Sequence, residues 1–384
     1  MRRTLLSFAA FLLIFVAAPH SLRAQSGVRP KPTPSPTPSN QEGQDDEKVF
    51  VEEVRIPVFA YDEKGRFDPT LELEDVLVVE DGVPQQVRSV RRVPASVLLL
   101  LHAGGELNPA MRTKTTSDIA SSVLSALGEG DSFAAMQFSG RTEVLQDWTT
   151  EKTAAARAIR SKMFPGKGSN LSLALARAAE YFQTQPVGNR HLVLITDGVD
   201  TAGPNEYQAA VKKLLAAQTT LHVISYTAVG RKELKKQSKY PKEVAGAAQS
   251  RADMATVGID PTRPAGMRRD GINPPQVNGG IRFDPALRRQ RKAYEDAMKK
   301  GESKLKSLTE ETGGRILMAG ATEEMITQGG DVAREINAQY VVTYSPKRAL
   351  ANSPPTEYRY IRVGARRVGL QLRARRGYVV GAMR

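Results

Sequence analysis

Polar loops follow two apolar segments of strand length at the point where each segment ends. Residues 192–195 run through Thr196 into Asp197, and residues 96–101 run into a loop that begins at His102. Ligands of open α/β sheets bind outside the carboxyl ends of the strands. We therefore predict one binding site where these two loops meet a third loop around residue 169. His102, Ser169 and Asp197 lie in these three loops.

Strand-like and helix-like segments alternate along most of the chain and predict the layers that hold this site. Strands are predicted at 96–101, 132–138, 191–196, 220–226 and 315–318. Apolar residues that recur every three to four positions predict helices at 113–127, 150–163, 171–182, 205–217, 285–311 and 322–337. This order predicts a Rossmann-like, doubly wound α/β fold, with a mostly parallel sheet covered by helices on both faces.

The segments that flank this α/β region have a different period. Residues 49–93 alternate apolar and polar positions, and Glu-Asp-Gly at residues 80–82 is typical of a hairpin turn. Short alternating segments return at 339–344, 358–363, 369–374 and 378–380. Neither flank alone has enough strands for a stable module. Our hypothesis is that the two flanks pair in one accessory antiparallel β module.

The N-terminus predicts export. Arg2 and Arg3 precede an apolar stretch at 5–18, and residues 21–24 have the pattern of a cleavage site. We therefore predict a periplasmic or secreted protein that has no transmembrane segment once the signal is removed. The predicted organisation is a signal peptide at 1–24, a proline-rich linker at 25–48, the first part of the β module at 49–93, the α/β domain at 94–338 with a basic, flexible insertion at 228–283, and the second part of the β module at 339–384.

The chain is basic, with a formal net charge of +14. Such a balance serves solubility alone or favours an acidic protein partner, and the basic insertion favours a polyanion of the cell envelope. The insertion has few aromatic residues on which bases could stack, and export also argues against nucleic acid as a partner. The absence of cysteine excludes disulfides and thiolate metal sites.

Three loop sequences resemble those of a von Willebrand factor type A (VWA) domain. They are residues 96–106, residues 167–171 (Lys-Gly-Ser-Asn-Leu) and residues 194–198 (Leu-Ile-Thr-Asp-Gly). Further motifs resemble the exported, VWFA-related proteins common in acidobacteria, at 61–65, 73–75, 79–82, 311–314, 339–346 and 373–378. The resemblance covers most of residues 49–380 apart from the insertion.

In that family the three loops form a metal-ion-dependent adhesion site, where oxygen ligands hold a hard divalent cation, commonly magnesium. The first loop ordinarily reads Asp-x-Ser-x-Ser, whereas His102, Gly104 and Glu106 stand at the three matching positions here. Ser169 and Asp197 match the second and third loops. These two oxygen ligands, even with Glu106 as a third, are a poor shell for a near-octahedral ion. We therefore predict a degenerate site that holds no cofactor and binds its partner without a metal.

Other interpretations of the same residues are open at this point. Asp197 could simply begin a turn, and Ser169 could cap the helix that follows it. His102 could instead join Asp197 in a zinc site, because imidazole suits transition metals. The other two histidines beyond the signal, His191 and His222, fall at the starts of predicted strands.

The function that these patterns favour is an exported, non-enzymatic protein-binding module of adhesion type. The chain has neither the pattern of a nucleophile elbow nor the spacing of a phosphate loop. The alternatives are a metal-dependent hydrolase or other metalloenzyme at the same strand ends, and a scaffold protein of the cell envelope.

Overall fold

The computed structural model describes residues 52–104, 109–239 and 285–382. The predicted signal peptide, the linker, Glu106 and residues 240–283 of the predicted insertion lie outside the described residues.

The described strands and helices follow the predicted order. The strands are β1 (Val54–Tyr61), β2 (Val76–Glu80), β3 (Val83–Arg91), β4 (Ser96–His102), β5 (Ser132–Phe138), β6 (Thr142–Thr149), β7 (Arg190–Thr196), β8 (Thr219–Ser225), β9 (Arg315–Met318), β10 (Tyr340–Ser345), β11 (Tyr358–Ala365), β12 (Gln371–Ala374) and β13 (Gly377–Val379). The helices are α1 (Pro109–Ala126), α2 (Lys152–Lys162), α3 (Leu171–Tyr181), α4 (Pro204–Ala216), α5 (Thr227–Lys239), α6 (Pro285–Thr312) and α7 (Thr322–Asn337).

The central sheet has six strands in the order β6-β5-β4-β7-β8-β9. All neighbours in it are parallel except β5 and β6. Every residue of β4 and β7 is buried, as expected for central strands that helices cover on both faces. Two separate clusters of buried apolar side chains lie against the two faces. These observations confirm the predicted doubly wound α/β fold.

Two elements of this region were missed by sequence analysis. Strand β6 was not predicted because only Leu145 of its eight residues is buried, so an edge strand of this kind has almost no apolar signal. The predicted insertion was placed to begin at residue 228, but residues 227–239 form helix α5. That boundary was wrong, because the polar composition of the segment hid the apolar contacts of Leu234 with Tyr294 and Met298.

The second sheet is antiparallel and combines both flanks of the chain, in the order β12-β1-β10-β3-β2-β11-β13. Strand β10 lies between β1 and β3, with Val342 opposite Ile56 on one side and opposite Val90 on the other. The hypothesis that the two flanks pair in one antiparallel module is therefore confirmed. Its buried apolar residues form a third cluster of their own.

The two sheets contact each other through buried residues. The guanidinium of Arg375, which follows β12, donates to the backbone oxygen of Gln218, 2.9 Å away. Phe59 of β1 packs edge-on against His222 of β8, with 6.0 Å between ring centroids. None of the described helices has the length and apolar character needed to cross a bilayer.

Candidate functional site

The carboxyl ends of β4 and β7 lie side by side, because the two strands are parallel neighbours with Leu101 opposite Ile195. This register brings His102, at the end of β4, to within 3.3 Å of Asp197, measured from Nδ1 to Oδ1. The sequence-based expectation that distant loops converge at these strand ends agrees with this geometry.

The second loop joins the same cluster. Ser169 Oγ donates to the backbone oxygen of Val199 at 2.5 Å, and Thr201 N donates to the Ser169 backbone oxygen at 2.7 Å. Gly104 of the first loop approaches Gly168 so closely that a β-carbon at position 104 would lie 2.0 Å from the Gly168 oxygen. The structure therefore brings together His102, Gly104, Ser169 and Asp197, whereas Glu106 lies outside the described residues.

Asp197 is completely buried, and both of its carboxylate oxygens have partners. Oδ1 accepts from the backbone N–H of Val199 at 3.1 Å and contacts His102. Oδ2 accepts from Arg112 Nη1 at 2.7 Å and from the Tyr294 hydroxyl at 2.6 Å. A buried carboxylate requires such positive and hydrogen-bonding partners, because leaving its charge unpaired in a dry interior is very costly.

Arg112 and Tyr294 are the two residues of this cluster that sequence analysis missed. Arg112 comes from the first turn of α1 and is 7 % exposed. Its Nη2 donates to the Tyr294 hydroxyl at 3.2 Å, and its guanidinium lies 5.7 Å from the ring centroid of Tyr226. Arg112 stands one residue before the predicted start of its helix, and Tyr294 lies beyond the insertion, so no local pattern linked either residue to Asp197. Asp197 ends a buried strand, and the first loop has few of the oxygen ligands that would hold a metal ion beside it. This combination was the sequence signal for a positively charged side chain from another part of the chain.

The cluster holds its charges firmly in the ionised state. Burial alone would raise the pKa of Asp197, but the contacts with His102, Arg112 and Tyr294 hold that pKa well below its ordinary value. Burial works to lower the pKa of Arg112, but the charge of Asp197, the contact with Tyr294 and the hydrogen bonds to both residues together outweigh it, so the pKa of Arg112 is raised. Burial, followed by the charge of Asp197, raises the pKa of Tyr294, so its hydroxyl remains a donor.

These residues do not fit a hard divalent cation. Both oxygens of Asp197 already accept from donors, and an ion beside them would face the guanidinium of Arg112. Ser169 directs its hydroxyl hydrogen to the Val199 oxygen, and Gly104 has no side-chain oxygen. Within the described part of the chain, no three residues among His, Asp and Glu are grouped so that they could hold a metal ion. Magnesium prefers carboxylate, carbonyl and water oxygens in a near-octahedral array, and this cluster offers a cation in their place.

Among the described residues, no further histidine lies near His102 to complete a zinc site. His191 and His222 are both fully buried and pair with each other instead, with 3.1 Å between His191 Nδ1 and His222 Nε2. The ring of His102 stacks on Phe138, with 4.7 Å between centroids. His102 therefore has the surroundings of a packed histidine that is hydrogen-bonded to a carboxylate.

The capping role considered for Ser169 belongs to its neighbour, whereas Asp197 does begin a turn, since Val199 N donates to its Oδ1. The cap of α3 is Asn170, whose Oδ1 accepts from Leu173 N at 2.9 Å, and not Ser169. Asp200 accepts from Ser172 Oγ at 2.5 Å and from Ala202 N at 3.1 Å. The third loop is thereby tied to the start of α3.

Helix α6 covers the strand ends from the solvent side. A β-carbon at Gly301 would lie 1.9 Å from the Gly198 oxygen, so the helix backbone rests directly on the third loop. Tyr294 and Met298 of the same helix are 8 % and 0 % exposed. His102, Ser169 and Asp197 are each no more than 2 % exposed. The expectation that these side chains face a partner does not agree with this burial, because a partner could reach them only if α6 moved away.

Comparisons with known proteins agree with this architecture. Residues 108–257 match the sequence profile described as von Willebrand factor type A domain, which indicates no catalytic family. The six-stranded sheet and its helices have the α/β fold of that domain. No curated protein sequence matches the chain.

The solved structures to which the chain is similar are distant. A von Willebrand factor type A protein from Catenulispora acidiphila is 10% identical, with a TM-score of 0.40, and the alignment covers 85% of this chain and 73% of that protein. An aerotolerance-related membrane protein from Bacteroides fragilis is 15% identical, with a TM-score of 0.37 and coverage of 63% and 98%. The vWF domain of the type V pili tip protein Mfa5 from Porphyromonas gingivalis is 19% identical, with a TM-score of 0.25 and coverage of 32% and 48%. These likenesses are too remote to carry a functional argument.

Proposed function

We propose that this chain is an exported, non-enzymatic protein-binding module whose type A domain works without a metal ion. The observation that carries the proposal is the partner set of Asp197. Arg112 and Tyr294 occupy one carboxylate oxygen, and His102 and the Val199 N–H occupy the other. The positive charge that a cation would bring to the third loop is supplied by the chain itself.

The energetics of buried charges support this assignment. The side chain of Arg112 is 8% exposed and that of Asp197 is 0% exposed, so salt and water screen their attraction only weakly. A bound divalent ion would have to displace the guanidinium and leave it buried without its carboxylate. Removing one partner of such a buried pair costs about 3–5 kcal/mol, which a shell of few oxygen ligands does not offset.

The remaining parts of the proposal rest on sequence. Residues 1–24 support export to the periplasm or beyond, and the flanking motifs support a place among the VWFA-related proteins of acidobacteria. A net charge of +14 supports an acidic protein partner. Binding of an envelope polyanion by the basic residues of 240–283 remains a proposal on the same ground.

The test is a metal titration of the purified mature protein, with partner capture as its second arm. Isothermal calorimetry with magnesium, manganese and calcium should show no saturable site below millimolar concentration, and EDTA should leave the melting temperature unchanged. A bound ion at one hundred times its Kd would add about 2.7 kcal/mol of stability, which a melting curve resolves easily. A micromolar site, or crosslinked partners that are lost when the host cells are treated with EDTA, would contradict metal independence.

A further inference from the structure

Helices α1 and α2 leave an open groove between them, along the part of α1 that follows the buried cluster. The groove has a volume of about 740 Å³, within the range of roughly 300–1,000 Å³ typical of binding pockets. Its lining includes Ser121, Leu124 and Ser125 from α1, and Ala156, Arg157 and Arg160 from α2.

The floor of the groove is apolar, and its side chains project little into the groove. Leu124 is 1 % exposed and Ala156 is partly buried. Ser121 and Ser125 lie one turn apart on α1, and their short side chains leave that side of the groove open. Helices pack with their axes about 8–10 Å apart when the residues between them are small. The shape therefore suits a helix better than a single side chain.

The walls of the groove are positively charged. Lys152, Arg157 and Arg160 line it, and no carboxylate does. Arg157 and Arg160 are exposed and lie one turn apart on α2. Within the described part of the chain, neither guanidinium is paired with a carboxylate, whereas Asp118 of α1 is paired with Lys114 at 2.9 Å. The groove thus presents two cations without counter-charges beside an apolar floor.

We infer that this groove docks an acidic amphipathic helix of a partner protein. This inference rests on the proposed binding function and gives that function a location and a partner chemistry. Helix α2 has 11 residues, about 16 Å at the rise of an α-helix, so the groove accommodates about three turns. A partner helix places apolar residues at i, i+3, i+4 and i+7 over Ala156 and the aliphatic stems of Arg157 and Arg160. Its glutamates or aspartates, one turn apart, face Arg157 and Arg160.

The probe for this site is a synthetic peptide of the length of α1, 18 residues, with leucines at that spacing and glutamates on the flanks. Fluorescence anisotropy with the full mature chain should show saturable binding that weakens as salt is added. Arg157→Glu/Arg160→Glu should weaken binding at least about tenfold, because two attractive contacts become repulsive. Ser125→Trp should also abolish binding, because the indole fills the groove without changing its charge.

The matched control is Arg88→Glu/Arg91→Glu, which makes the same charge change at two exposed positions of β3. This variant should bind the peptide as the unmodified chain does. The inference is overturned if the peptide shows no saturable binding, or if the control loses as much affinity as the groove variant. It is also overturned if anionic vesicles bind and Ser125→Trp has no effect, because charge alone would then explain association. Should metal-independent capture of a protein partner survive Arg157→Glu/Arg160→Glu unchanged, the proposed function stands and only this location fails.

Discussion

Replacing Arg112 by methionine tests whether an internal cation balances Asp197. Methionine has a similar length and keeps the packing against Tyr226, but it leaves a fully buried carboxylate with only the contacts of His102, Tyr294 and a backbone N–H. Removal of one partner from a buried ion pair costs about 3–5 kcal/mol. We expect Arg112→Met to lower the free energy of unfolding by an amount of this order, measured by urea denaturation at neutral pH.

The double variant Arg112→Met/Asp197→Asn separates charge from packing. It removes both charges, so we expect it to recover most of the loss, and the coupling energy of the cycle to exceed about 1 kcal/mol. Arg157→Met, on the exposed side of α2, is the matched control and should change stability by less than about 0.5 kcal/mol. If Arg112→Met cost no more than that control, or if the double variant were as unstable as the sum of the single variants, the buried pair would not be the element that balances Asp197.

Two further predictions concern helix α6 and the buried histidines. Gly301→Ala should destabilise the protein by about 1–3 kcal/mol, because its β-carbon would meet the Gly198 oxygen at 1.9 Å. Gly330→Ala in α7 should be neutral or stabilising by up to about 1 kcal/mol, because the nearest atom of another element, Ser122 Oγ, is 3.6 Å away. A similar loss in both variants would contradict the close approach of Gly301. Burial lowers the pKa of His191 to about 3 and that of His222 well below its ordinary value, so the unfolded chain takes up these protons first as the pH falls below about 6.5. Stability measured by urea denaturation should therefore decrease between about pH 6.5 and 5, with a shallower slope in His191→Gln/His222→Gln, and equal slopes would refute this assignment.

The fold was predictable because its signals are local. The apolar runs that became β4 and β7 are long, continuous and bounded by turn residues, as buried parallel strands are. The pairing of the two flanks followed from a count of strands, since neither flank could form a sheet alone. Strand β6 and helix α5 lacked such signals, because each has a mainly polar sequence and gains its position from tertiary contacts.

The cluster around Asp197 was only half predictable. Residues that end parallel strands must meet at one edge of the sheet, and this rule placed His102 and Asp197 together. Nothing in the sequence near Asp197 indicates Arg112, 85 residues earlier, or Tyr294, 97 residues later. Their contribution depends on how α1 and α6 pack over the strand ends, which is a property of the assembled fold.

The burial of Asp197 links the first loop, which follows β4, to the helix that covers the strand ends. A buried carboxylate needs a positive partner, or it becomes protonated. Arg112 lies at the start of the helix that follows that loop, so its guanidinium reaches the carboxylate from the same side of the sheet. Tyr294 then supplies a hydroxyl to both groups, and α6, which carries it, closes the strand ends. The internal cation and the covering helix are therefore two parts of one arrangement around Asp197. In our proposal, a partner binds away from these buried side chains, at the groove between α1 and α2.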